Sequence, residues 1–178
     1  MTAPIPDNFP ALVDRASREF AATEAISDGG VSLNFSELGQ QIKQAAGALV
    51  ASGVKRGDRV AVWAPNSWEW VVSAMAVFRV GAVLVPVNTR FKGREAAFVL
   101  EKAQVKVLFT VVGFLGNDYV SDLRESGERV DSIEDIVVLR GDVLEGTISF
   151  QDFLARSTSE TFEEAEDRAA TVSGSDLG

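Results

Sequence analysis

Residues 58–90 read Asp58-Arg59-Val60-Ala61-Val62-Trp63-Ala64-Pro65-Asn66-Ser67-Trp68-Glu69-Trp70, an apolar segment to Val80, and Gly81-Ala82-Val83-Leu84-Val85-Pro86-Val87-Asn88-Thr89-Arg90. Two short β-branched runs bracket a longer apolar segment that carries start and stop signals, which is the pattern of strand, turn, helix, strand. The stretch is one βαβ unit.

Its helix is legible residue by residue. Pro65 disfavours helix at Ala64 and ends the first strand, and Asn66 is the expected N-cap with Glu69 three residues on. Glu69 near the start and Arg79 near the end complement the helix dipole. Between them Trp70, Val71, Val72, Ala74, Met75, Ala76, Val77 and Phe78 leave almost no polar face, so the helix is expected to be covered on more than one side. Gly81 supplies the stop, and Val83-Leu84-Val85 is short and apolar enough for a buried parallel strand.

Upstream, Pro4, Pro6 and Pro10 mark an irregular start over residues 1–8, and Leu12, Val13, Ala16 and Phe20 predict an amphipathic helix over roughly 10–22. Ala25-Ile26-Ser27 and Val31-Ser32-Leu33 flank Asp28-Gly29-Gly30 and predict an antiparallel ribbon with glycines at its turn. Asn34 with Glu37 is a capping-box variant; Leu38, Ile42, Ala45 and Leu49 form the stripe of the helix that follows, and Gly53 closes it.

Downstream, the pattern predicts a helix over 94–102, a strand at Val105–Phe109, a helix over roughly 117–124 and a strand at 135–139. Ser149 can cap a short helix over 150–155. Helices alternating with strands give an α/β fold, a largely parallel sheet with helices on both faces. The stretch 157–174, with Glu160, Glu163, Glu164, Glu166 and Asp167, is read as an acidic, linker-like segment or solvated helix face rather than a metal site, because nothing convergent flanks it.

At 178 residues and 46% hydrophobic the chain can bury a substantial core as one domain. Asp+Glu 26 against Lys+Arg 17 gives a net charge of -9 with dispersed basic residues, so neither nucleic acid nor an anionic membrane is an expected partner. Cys 0 excludes disulfides and thiolate chemistry, and His 0 excludes a histidine-dependent triad and the usual zinc ligand. The N-terminus lacks a basic and apolar leader and no apolar run is long enough to cross a bilayer, so a soluble cytoplasmic protein is expected.

Three segments carry a family likeness. They are Leu33-Asn34-Phe35-Ser36-Glu37-Leu38; Gly57-Asp58-Arg59-Val60-Ala61 leading to Pro65-Asn66-Ser67; and Val80 through Pro86-Val87-Asn88-Thr89-Arg90. In this order and spacing they resemble the adenylate-forming (AMP-binding) enzymes, and within them the fatty acyl-CoA synthetases. The run Val62 to Val72 and the later Phe114-Leu115-Gly116 look like the actinobacterial acyl-CoA synthetases of steroid degradation, whose substrates are propanoate-bearing ring remnants.

The resemblance implies the N-terminal part of an acid-CoA ligase. Such enzymes activate a fatty or steroid-derived carboxylic acid with ATP and Mg²⁺ to an acyl-adenylate and pass the acyl group to CoA. Their Ser/Thr/Gly-rich ATP loop has no counterpart here, although Ser175-Asp176-Leu177-Gly178 looks like the lead-in to it. The 178 residues alone are therefore expected to be inactive and to bind none of these cofactors. A free-standing binding module, or part of an acid-AMP ligase with another acceptor, is the alternative.

Trp63, Trp68 and Trp70 surround the strand-to-helix turn at the carboxyl end of a parallel strand, where α/β folds place ligands, and can wall a substrate pocket or simply fill core. Arg90 can meet the phosphates of CoA or ATP or pair with a carboxylate. Gly113-Phe114-Leu115-Gly116 is not a dinucleotide fingerprint, and no catalytic or metal-binding residue is nominated. Loss of the rest of a large domain would expose apolar surface, through which an isolated chain can form a homo-oligomer.

Overall fold

The computed structural model describes residues 5–176. The first half of the irregular start and the last two residues of the Ser175–Gly178 lead-in lie outside them.

Helix α1 (Phe9–Glu19) starts where the Asn8 carboxamide accepts the Ala11 N–H at 2.9 Å, and it is shorter than expected. Of its expected inner face, Leu12 and Phe20 are exposed, whereas Val13 packs against the core as expected; Pro10 is buried too. Strands β1 (Glu24–Asp28) and β2 (Val31–Asn34) form the ribbon, with Asp28 paired to Val31 across a two-residue turn. Gly29 and Gly30 there have φ of +58° and +90°, which is why glycines fill both positions. Asn34 and Glu37 form the capping box of α2 (Phe35–Ala51), with both bonds at 2.9 Å.

Strand β3 (Arg59–Trp63) leads into α3 (Trp68–Arg79), which is capped by Ser67 rather than Asn66. The Ser67 hydroxyl accepts the Trp70 N–H at 3.2 Å, and the Glu69 carboxylate is drawn away to Arg140, so no reciprocal box forms. At the other end Gly81 (φ +69°) closes a double turn, with Ala82 N–H donating to Val77 and Gly81 N–H to Phe78. Strand β4 (Val83–Pro86) then pairs in parallel with β3, its one strand partner among the described residues. It is the half-buried edge strand, not the buried strand expected, and Pro86 fits an edge because it has no N–H to offer a neighbour.

Helix α4 (Gly93–Ala103) crosses back to β5 (Val105–Phe114), which is twice the length expected. The extra residues turn through β6 (Asn117–Asp118), antiparallel to the end of β5, into α5 (Tyr119–Glu125). Strand β7 (Asp135–Arg140), strand β8 (Ile148–Ser149) and α6 (Phe150–Leu154) follow, the last capped by Ser149. The sheet order is β4-β3-β5-β7-β8, and each neighbouring pair is parallel. The chain moves outward from β3 to β4 and then back over β3 to β5. Right-handed crossovers therefore put α3 on one face and α4 and α5 on the other, as the α/β reading requires.

The acidic stretch is not a linker. Helix α7 (Ser159–Ala169) occupies it, with Ala165 and Ala169 buried and the helix packed on α2 and α3. Its outer side is the solvated helix face expected, with Glu160, Glu163, Glu164 and Asp167 exposed, while the small residues on the other face and the Thr158 cap at its start specify a packed helix.

Candidate functional site at the carboxyl edge of the sheet

In a doubly wound sheet the crevice beyond the carboxyl ends of strands, where the order reverses, is the place for ligands. Here that point lies between β3 and β5, and it is bounded by the turn 64–67, the loop 87–92 and the β5–β6 hairpin.

Trp63, the last residue of β3, is fully covered and belongs to the core. Its ring stacks on Tyr119 with centroids 4.4 Å apart, its Nε1–H donates to the Asn88 carbonyl at 3.1 Å, and its own carbonyl accepts the Thr110 hydroxyl at 3.0 Å. Tyr119 in turn donates its hydroxyl to the Thr89 carbonyl at 2.9 Å. Burial, with Asp122 adding to it, holds the Tyr119 phenol above its usual range, so it remains a donor. Arg90 is exposed just beyond these two carbonyls. Its N–H bonds to the Asn88 side chain at 2.9 Å, and its guanidinium has no partner among the described residues.

Trp68 sits apart from Trp63. It lies half-buried at the mouth of a cleft of about 530 Å³, edge-on to Phe150 at 5.8 Å, with Gln41, Gln44, Glu69 and Arg140 in the walls. Trp70 is half-buried against the core and does not line that cleft. The structure thus does not gather the three tryptophans in one cavity; it brings Trp63 to the loop of Arg90 and Trp68 to a separate cleft.

Two of the wall residues of that cleft, Glu69 and Arg140, belong with Asp28 to an ion-pair network that the sequence did not reveal. Arg140, at the end of β7, donates to Glu69 at 2.8 Å and to Asp28, on the ribbon turn, at 2.5 Å. Asp28 also accepts the Trp68 N–H at 3.1 Å, supplying a carboxylate to the start of α3. The Arg140 bond and this N–H hold the Asp28 carboxyl below its ordinary range, while the Glu69 bond, joined by Asp28, raises the Arg140 guanidinium above its own. The ion-pair roles of Glu69, Asp28 and Arg140 and the Thr89 contact of Tyr119 were not legible in sequence, where Glu69 reads as a helix-start residue and Asp28 as part of a turn, because their partners lie far along the chain; for Tyr119 the one available signal was that it is the single tyrosine.

Among the described residues no group of three acidic side chains converges as a metal ligand set, and no helix is long and apolar enough to cross a membrane.

The sequence profile of the AMP-binding enzymes matches residues 13–175. A 3-[(3aS,4S,7aS)-7a-methyl-1,5-dioxo-octahydro-1H-inden-4-yl]propanoyl:CoA ligase of Rhodococcus jostii (strain RHA1) is 39% identical over 175 residues, 97% of this chain and 34% of the relative. A ligase of the same name from Mycobacterium tuberculosis (strain ATCC 25618 / H37Rv) is 33% identical, over 94% of this chain and 32% of its own. Among solved structures, the anthranilate CoA ligase AuaEII in complex with anthranoyl-AMP superposes with a TM-score of 0.76 at 26% identity, covering 87% of this chain and 29% of that one. The chain spans about a third of the length of the relatives it matches. A profile match over most of its residues, and the shared parallel sheet, place this chain in the AMP-binding enzyme family.

Proposed function

We propose that the chain is the N-terminal portion of an ATP-dependent acid-CoA ligase that activates a carboxylic acid as its acyl-adenylate and then transfers it to CoA. The observation that carries this reading is the 39% identity, across 97% of the chain, to a ligase named for a bicyclic propanoate. A ring-bearing propanoate of that class is the acid we assign. Trp68, with Phe150 and the amides of Gln41 and Gln44, offers an aromatic and hydrogen-bonding wall of suitable size for fused rings and their carbonyl groups.

ATP and CoA share phosphate groups, and the exposed guanidinium of Arg90 at the carboxyl edge suits such a contact. When bound, these groups supply the activating phosphate and the accepting thiol; this chain's contribution is to bind and orient. Mg²⁺ in such reactions is held largely by the phosphate oxygens with one or two carboxylates, and no residue of this chain is assigned to it. The 178 residues form one subdomain that does not adenylate acids alone, and the protein is placed in the cytoplasm.

The test is pyrophosphate release by the longer protein with ATP, Mg²⁺, CoA and a panel of fatty and bicyclic propanoic acids, beside the 178-residue chain. Acid-dependent release and acyl-CoA formation by the longer protein alone, strongest with the bicyclic acid, is the expected result. A longer product that never adenylates an acid would overturn the reading; adenylation with transfer to another acceptor would replace CoA.

A further inference from the structure

The loop that carries Arg90 leaves a strand that, among the described residues, is paired on one side, and its last bond to the sheet is the Val87 N–H to the Val62 carbonyl at 3.0 Å. Beyond that bond it is held by two backbone carbonyls. The Trp63 indole N–H holds that of Asn88 at 3.1 Å and the Tyr119 hydroxyl that of Thr89 at 2.9 Å, and the two rings are stacked on each other. Asn88 completes the arrangement by accepting the Phe91 N–H on its carbonyl and the Arg90 N–H on its side chain.

Charge around the loop runs against the chain as a whole. Arg90, Lys92 and Arg94 fall within five residues at the start of an 11-residue helix, in a protein with a net charge of -9. Lys92 is directed to the Asn117 side chain at 3.3 Å and Arg94 to Glu128 at 3.0 Å. Arg90 is left as the cation of this group without a partner among the described residues.

We propose that Trp63 and Tyr119 are positioning residues, a stacked clamp on the Asn88 and Thr89 carbonyls that presents the Arg90 guanidinium to an anionic, phosphate-bearing ligand. The inference rests on the phosphate reading of Arg90 given above. A guanidinium on a loop already fixed loses less freedom on binding than one on a mobile loop, so the clamp acts on affinity without touching the ligand. Neither ring needs to change for this; each acts through a single donor.

Two measurements separate the clamp from the phosphate reading, amide exchange on the 178-residue chain and a ligand titration on the longer protein. The first is amide hydrogen exchange at Arg90 and Phe91 in Tyr119→Phe, which keeps the stacked ring and removes only the hydroxyl, and in Trp63→Phe, which removes the indole N–H. Exchange there should quicken about five-fold or more, while the amides of β3 and β5 in Tyr119→Phe stay as in the parent. The second is a titration followed by NMR, with ATP and CoA in separate arms to identify the source of the phosphate. Saturable shifts at Arg90 are expected in one arm, abolished in Arg90→Gln and weakened about three-fold or more in Tyr119→Phe. Unchanged exchange in both clamp variants, with an Arg90-dependent titration intact, overturns the clamp alone. No Arg90-dependent titration in either arm overturns the phosphate reading and, with it, the positioning role.

Discussion

Arg79 donates through Nε to the Glu166 carboxylate at 2.6 Å across 87 residues of chain, with only 2% of the arginine side chain exposed. The other guanidinium nitrogens reach Asp14 at 3.1 and 3.2 Å, and Glu166 also receives Lys43 at 2.7 Å. Four helices, α1, α2, α3 and α7, meet at this one cluster. Burial opposes both charges, but the bonds from Arg79 and then Lys43 hold the Glu166 carboxyl below its ordinary range, and those to Glu166 and Asp14 raise Arg79.

Glu166→Gln should therefore cost about 2–3 kcal/mol near neutral pH, because Arg79 keeps Asp14 but loses a charged acceptor. A carboxyl whose pKa is depressed by folding contributes stability above its unfolded value, and that contribution is lost as pH falls toward the folded one. The gap in Tm between the parent and Glu166→Gln should thus be largest near pH 7 and close progressively below about pH 4. Thermal melts across pH 3–7 check this, and a gap that widens in acid would contradict it.

Glu69 is 6% exposed and depends on Arg140 for its counter-charge. Arg140→Leu should cost about 3 kcal/mol by stranding a buried carboxylate, and adding Glu69→Leu should recover much of that loss. Urea denaturation of the two single variants and the double variant measures the coupling. Additive losses would show that the pair contributes nothing together.

At the start of α4, a Cβ on Gly93 would overlap the Asp122 carbonyl of α5. Gly93→Ala should accordingly separate α4 from α5 and cost about 3 kcal/mol in a urea midpoint. Ala at Gly29, where φ is positive but space is open, should cost about 1–2 kcal/mol from backbone strain alone. Equal costs at the two sites would remove the packing argument for Gly93.

Leu115 stands at the tip of the β5–β6 hairpin with φ of +52° and 83% of its surface exposed. Leu115→Gly should raise stability by about 0.5 kcal/mol, the relief of strain exceeding the added flexibility of the unfolded chain. Leu115, Phe98 at 65% exposure and the free edge of β4 are also the surfaces by which the isolated chain should self-associate. Light scattering over a concentration series should show oligomers that recede in Phe98→Ser with Leu115→Ser. A strictly monomeric parent would exclude this.

Local grammar made most of the elements readable in advance. Asn34 with Glu37, the two glycines of the ribbon, Gly81 after α3 and the Ser149 cap each act within a few residues, so the sequence alone specifies where their helices and turns begin or end. Alternating strands and helices likewise specified a parallel sheet and its handed crossovers, and the ordered motifs specified the family.

Other outcomes were decided by partners distant in sequence. Asn66 and Ser67 are both competent caps, and Ser67 prevails with Glu69 held by Arg140, 71 residues away. Val83–Val85 has the composition of a buried strand, yet its place at the sheet edge depends on where α4 returns the chain. The acidic stretch became a packed helix through Arg79 and Lys43. Trp63 went to the core, and Trp68 to a cleft, because Tyr119 and Phe150 were waiting for them. Sequence determined this protein's elements, their order and its family through interactions that span a turn or less. The sheet edge, the ion pairs and the setting of Arg90 were decided only in the tertiary structure, because each is an energy between groups that become neighbours when the chain is folded.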